Sequence, residues 1–260
     1  ANLFGNILLR TGTQSILEDY SIGFLGQLRE SEYPYWSSLL GLIEDSPLSE
    51  LDKHLSISGL GYLERAYRGS RGVIILTYHS TLSRLAMAAL PRSLGSEPIE
   101  TISIKASANQ SLSWQNNRPM NIPQAARSGL GAGAALQGQR LLAQGKIIQF
   151  VSDGDFGREM GSYPVNVAGR LYSLPPGFAE LALNTGAAIV PQFTTNLADG
   201  RIHSTFLPPL APEPGNREFQ VESLLKQYAD FITSSWKTAP ESMSWKKIQK
   251  HFTLPVAREA

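Results

Sequence analysis

Apolar residues recur at helix-like spacing over the first seventy positions. Ile16, Ile22, Leu25 and Leu28 form one stripe, Trp36, Leu39, Leu40 and Ile43 a second, and Pro34 and Pro47 punctuate them. Near residue 71 the texture changes. Val73–Thr77 is a continuous run of mostly β-branched residues, as a strand buried on both faces requires. Leu82, Leu85, Ala86, Ala89 and Leu90 then follow at helical spacing until Pro91. Residues 99–104 and Ile147–Val151 predict further strands, and 136–142 and 174–183 predict helices, the second with Pro175 and Pro176 near its first turn, where proline is tolerated. Residues 188–193 and Ile202–Phe206 read as strands, and 219–236 as a long amphipathic helix. Strands alternating with helices predict an α/β fold, a mostly parallel central sheet flanked by helices. Residues 1–70 are expected as a helical N-terminal region packed on a core of residues 71–260, in a single domain overall. The proline-rich stretch 208–214 is expected to be a crossover loop, and no internal repeat is visible.

Composition narrows the function classes. Of 260 residues, 42% are hydrophobic and 17% charged, and 23 Lys+Arg against 22 Asp+Glu leave a formal charge of +1, which describes a folded globular chain. Broad nucleic-acid binding needs a strong cationic excess that is missing here, so no nucleic-acid partner is expected. The absence of cysteine excludes disulfides, zinc–thiolate sites and a cysteine nucleophile. No apolar run approaches the roughly 18–20 residues of a membrane span. Residues 1–10 are amphipathic without the layout of a signal peptide, and the chain begins at Ala1 rather than Met, as a trimmed or excised chain does.

Four histidines carry candidate chemistry. His54 lies in a polar segment, His203 alternates along a strand and His251 sits in a basic tail, so these three read as structural or solvated. His79 closes a buried strand just ahead of a helix, and in open α/β sheets ligands gather at the carboxyl ends of strands. Position alone leaves a structural and a functional reading open; a neutral imidazole there could take a proton from an attacking hydroxyl or amine. Asp153-Gly154-Asp155-Phe156-Gly157-Arg158 also follows a buried strand and should share that sheet edge. It reads as an ordinary turn, as a partner for His79, or as an Asp-x-Asp metal site. No further acidic ligand flanks it, so no metal and no cofactor are assigned. Gly129-Leu130-Gly131-Ala132-Gly133 opens a helix, but the preceding residues are polar and irregular where a dinucleotide fingerprint needs a strand. A flexible loop is the preferred reading over a phosphate-binding helix start. Arg118, taken alone, reads as solvated surface.

Taken in order, these segments resemble the lipid A biosynthesis lauroyl/myristoyl acyltransferases, the late acyltransferases of the wider lysophospholipid acyltransferase superfamily. The resemblance runs from about Leu55 to Phe252. It is carried by Gly59-Leu60-Gly61-Tyr62-Leu63, by Arg71-Gly72 and the strand ending in Tyr78-His79, by Arg118-Pro119 with Asn121, and by Asp153-Gly154-Asp155-Phe156-Gly157. Glu180-Leu181 through Thr185-Gly186 to Val190-Pro191, and Pro240-Glu241 with Trp245-Lys246-Lys247, complete it. The resemblance implies a glycerolipid acyltransferase-like fold and transfer of an acyl group from an acyl carrier protein or coenzyme A thioester to a hydroxyl or amine, without a cofactor. It implies a His–acid pair in which His79 removes the acceptor proton, with Asp153 and Asp155 orienting His79 or holding the acceptor. Arg118, Arg158 and Ser80 are implied in substrate binding.

Two departures stand out. The family pattern places an acid after the histidine with four residues between, and Arg84 stands there instead. A cation opposes the imidazolium that such an acid would stabilise. Three consequences are open: Asp153 or Asp155 substitutes from across the sheet edge, Arg84 binds an anionic part of a substrate, or the chain is a non-catalytic homologue that binds acyl chains or carrier proteins. The N-terminal region also carries Arg10, Glu18, Asp19, Arg29 and Glu30 where the family's typical members have an apolar membrane helix. At most a peripheral membrane contact is therefore expected, with a small-molecule or lipid acceptor and a cytoplasmic location.

Overall fold

A computed structural model describes residues 55–79, 111–115, 118–122, 130–153, 161–197, 201–238, 251 and 253–256. Three pieces of the sequence reading, the N-terminal helical stripes, the 82–90 helix and the 99–104 strand, lie outside the described residues, as does His54. Five strands form the central sheet: β1 (Leu55–Ser58), β2 (Val73–Thr77), β5 (Ile147–Val151), β8 (Ala188–Asn196) and β9 (Ile202–Phe206). Their order is β1-β9-β8-β2-β5. Three of the four pairings are parallel, and only β8 with β9 is antiparallel. Two antiparallel hairpins stand apart, β3 (Ser111–Gln115) with β4 (Arg118–Ile122) and β6 (Tyr163–Val167) with β7 (Arg170–Leu174). Four helices are described: α1 (Leu60–Gly69), α2 (Leu130–Ala143), α3 (Gly177–Thr185) and α4 (Arg217–Thr238).

The mostly parallel α/β sheet matches the expectation from periodicity. β2 and β5 fall on the residues read as strands, because an extended ladder satisfies the backbone of a run buried on both faces while hiding the four apolar side chains that each contains. Elsewhere the structure departs from the reading. β1 is a strand inside the segment read as helical, and its Leu55-Ser56-Ile57-Ser58 alternation is the local cause. β6 and β7 form a hairpin that apolar runs do not reveal, since Val165, Val167, Tyr172 and Leu174 are buried at every second position while their neighbours face out. Gly131 and Gly133 lie within helix α2 rather than in a loop.

Strand alternation divides the core in two. Ile74, Leu76 and Tyr78 face a large cluster containing Leu174, Phe178, Tyr228, Phe231 and Trp236, which belongs to α3, α4 and the β6–β7 hairpin. Val73 and Ile75 face a smaller one with Leu63, Val190 and Phe206, closed by α1. Helix α4 supplies Val221, Leu224, Leu225, Tyr228, Phe231, Ile232 and Trp236 as one buried stripe at spacings of three and four. The sheet's entry point is set by Gly72, whose φ of 108° precedes β2; a Cβ there would lie 2.7 Å from the Leu142 carbonyl oxygen at the end of α2.

Candidate active site

The parallel register of β2 and β5 pairs Thr77 with Val151. Two residues further along each chain, His79 and Asp153 therefore emerge side by side at the carboxyl edge of the sheet. Tyr78 contributes to the orientation. Its ring is buried between Phe231 and Trp236, with centroids 5.8 and 6.2 Å away, so alternation sends His79 to the opposite side. The result is asymmetric: the His79 side chain is 47% exposed and that of Asp153 only 2%.

One carboxylate oxygen holds the histidine twice. Asp153 Oδ1 accepts the His79 backbone N–H at 2.8 Å and lies 2.6 Å from Nδ1 of the ring. An ionised carboxylate only accepts, so Nδ1 carries the proton. That tautomer leaves the Nε2 lone pair outward, where it can accept a proton from an incoming hydroxyl or amine. The buried carboxylate would stabilise the resulting imidazolium.

Behind the pair lies a layer that sequence reasoning missed. The Tyr228 hydroxyl, fully buried on α4, donates to the Thr77 carbonyl at 2.8 Å. Burial first, and the Asp153 charge second, push the Tyr228 and Tyr172 phenols above the ordinary tyrosine range. Tyr172 on β7 lies 3.1 Å from Nδ1 of His251. His251, read as part of a basic tail, is in fact 4% exposed and packed edge-on against Trp236 at 5.6 Å. Burial, and then Arg170, lower its pKa to about 4. The C-terminal segment is docked there by the Arg170 side chain donating to the Leu254 carbonyl and by Leu171 N–H donating to the Pro255 carbonyl. No local signal marks these hydrogen bonds, because they join residues 79 to 151 positions apart. The tyrosines could have been noticed only as aromatic positions on buried strand or helix faces.

His203 confirms its structural reading: its two ring nitrogens lie 2.6 and 2.9 Å from the Ser56 and Ser58 hydroxyls of β1, and burial lowers its pKa. Arg118 falls on β4, opposite Gln115. Ser80, Arg84, Asp155 and Arg158 lie outside the described residues. Among the described residues no group of three or more His, Asp or Glu is placed to hold a metal ion, and no helix is long and apolar enough to cross a membrane.

Comparison with known proteins agrees with this architecture. The family model described as bacterial lipid A biosynthesis acyltransferase matches residues 38–253, a span that contains every described strand and helix. A search of curated proteins returns no match.

Proposed function

Because this chain belongs to the bacterial lipid A biosynthesis acyltransferase family and is an acyltransferase, we propose that it moves an acyl group from an acyl carrier protein or coenzyme A thioester to a hydroxyl or amine, with His79 as the general base. The observation that carries this reading is the 2.6 Å contact between His79 Nδ1 and the buried Asp153 carboxylate. Nε2 takes the acceptor proton as the acceptor oxygen or nitrogen attacks the thioester carbonyl. The tetrahedral intermediate collapses with loss of the thiolate, and the imidazolium returns its proton to that sulfur. Asp153 takes the orienting place that the family pattern gives to the acid now replaced by Arg84. Arg118, Arg158, Arg84 and Ser80 are proposed to bind the anionic and polar parts of donor and acceptor, and Asp155 to hold the acceptor. The acceptor is a lipid or a soluble molecule, and the site of action is cytoplasmic.

The test is His79→Ala, assayed for thioester-dependent acyl transfer to candidate acceptors. A fall in kcat on the order of 10²–10⁴-fold is expected for loss of a general base. Unchanged turnover removes His79 from the mechanism.

A further inference from the structure

We propose that Tyr228 is a positioning residue for the His79–Asp153 pair, its hydroxyl anchoring the carbonyl at which the two strand ends that carry those side chains meet. The inference rests on the proposed general-base reading and extends it to a residue 149 positions along the chain from His79.

The argument begins at the sheet edge. His79 and Asp153 both lie beyond the last residues of their strands, where regular ladder bonds no longer fix them. One bond continues the ladder, from Ser152 N–H to the Thr77 carbonyl, and at 3.3 Å it is long. The same Thr77 carbonyl accepts the Tyr228 hydroxyl at 2.8 Å. One carbonyl thus receives both the Ser152 amide of one strand end and the phenol, so the side chain reaches the point at which the two strand ends meet. Thr77 is two residues from His79, and Ser152 is adjacent to Asp153. A shift of either strand end therefore alters the 2.6 Å His–Asp contact directly.

Tyr228 is itself firmly held. Its ring is fully buried, 5.2 Å from that of Phe178 and stacked on Phe231 at 6.0 Å, so the hydroxyl has one direction available. Burial and the neighbouring Asp153 charge keep the phenol protonated, which preserves it as a donor. A phenylalanine would fill the same space. The hydroxyl is thus the part of this residue that packing does not require, and the end of β2 is what it touches.

The experiment compares wild type, Tyr228→Phe, and Ser235→Ala as a control that removes another buried α4 hydroxyl, one bonded within its own helix to the Phe231 carbonyl. Two quantities are read: kcat and KM for acyl transfer, and the downfield proton resonance of the His79 Nδ1–H···Asp153 bond, identified by its loss in His79→Ala. In Tyr228→Phe, kcat is expected to fall about 10- to 100-fold with KM little changed, the scale of a small misplacement of a reacting group. The resonance is expected to move or broaden. Ser235→Ala should leave both as in wild type. If kcat and the resonance are both unchanged in Tyr228→Phe, the inference is wrong. It is equally overturned if only one of them changes, since the hydroxyl would then act by another route or without consequence. Should Tyr228→Phe fail to fold, fluorotyrosine at position 228 keeps the shape and alters the donor; an unmoved resonance then overturns the inference. An active His79→Ala would instead refute the general-base reading, while the resonance still reports on positioning.

Discussion

Two histidines in this fold have opposite surroundings. His79 stands half-exposed at the sheet edge, bound through one ring nitrogen to a buried carboxylate, with the other nitrogen turned outward. His251 is enclosed between Trp236 and Tyr172, beside the Arg170 cation. The first is arranged so that a proton can arrive and the resulting charge is compensated. The second is arranged so that a proton is unwelcome, because burial and a neighbouring cation both penalise the charged ring. Imidazole chemistry is the same in both; the difference lies in whether an anion or a cation faces the ring and whether solvent reaches it. That difference separates a residue suited to turnover from one that serves packing.

The sharpest way to break this comparison is Asp153→Asn. An amide no longer imposes the Nδ1–H tautomer, and kcat should drop by about 10⁴-fold, the scale found when the carboxylate orienting a base histidine is amidated. Circular dichroism melts should show a much smaller change, and a kcat within error of wild type would disconnect Asp153 from catalysis. On the other side, Trp236→Ala removes the wall against which His251 and Tyr78 pack and should destabilise by about 3–5 kcal/mol in denaturant titrations.

Acid should act next. His251 has a folded-state pKa of about 4 against 6.5 for a free imidazole. The unfolded chain therefore binds more protons between these values. The contribution to stability is complete above pH 6.5 and is lost as the pH falls towards 4, by up to about 3 kcal/mol. Melting temperatures of wild type and His251→Leu should converge across that window; parallel curves would refute the assignment. The smallest effect belongs to Tyr172→Phe, which deletes the bond to His251 and should lower stability by about 1 kcal/mol in the same titration.

How much was legible follows from what each feature depends on. Strands β2 and β5 were readable because burial on both faces leaves a local trace, β8 from its apolar start, β9 from its five-residue alternation, and α4 because its periodicity extends over 22 residues. The His79 and Asp153 neighbourhood was readable in outline, since two buried parallel strands followed by polar residues deliver those residues to one edge. The β6–β7 hairpin was not, because alternation interrupted by Pro164 and the Ala168-Gly169 turn looks like loop composition. His251 was misread for a related reason. Its neighbours Lys246, Lys247 and Lys250 gave the segment a solvated character, while its burial depends on Tyr172 and Trp236, which no nearby residue announces. Long-range register and side-chain docking are decided by the assembled fold, and a linear pattern carries little of either.

The double grip of one Asp153 oxygen on the His79 main chain and ring has a chemical corollary. An imidazole held through Nδ1 by the same oxygen that holds its own main chain has little swivel left, so its lone pair defines a preferred line of approach. Under the proposed reaction, an acceptor with several hydroxyls cannot recruit the base by inviting it to turn. Regioselectivity would then be written into the seat that holds the acceptor, and altering that seat, with the base untouched, is the route to redirecting which hydroxyl becomes the ester.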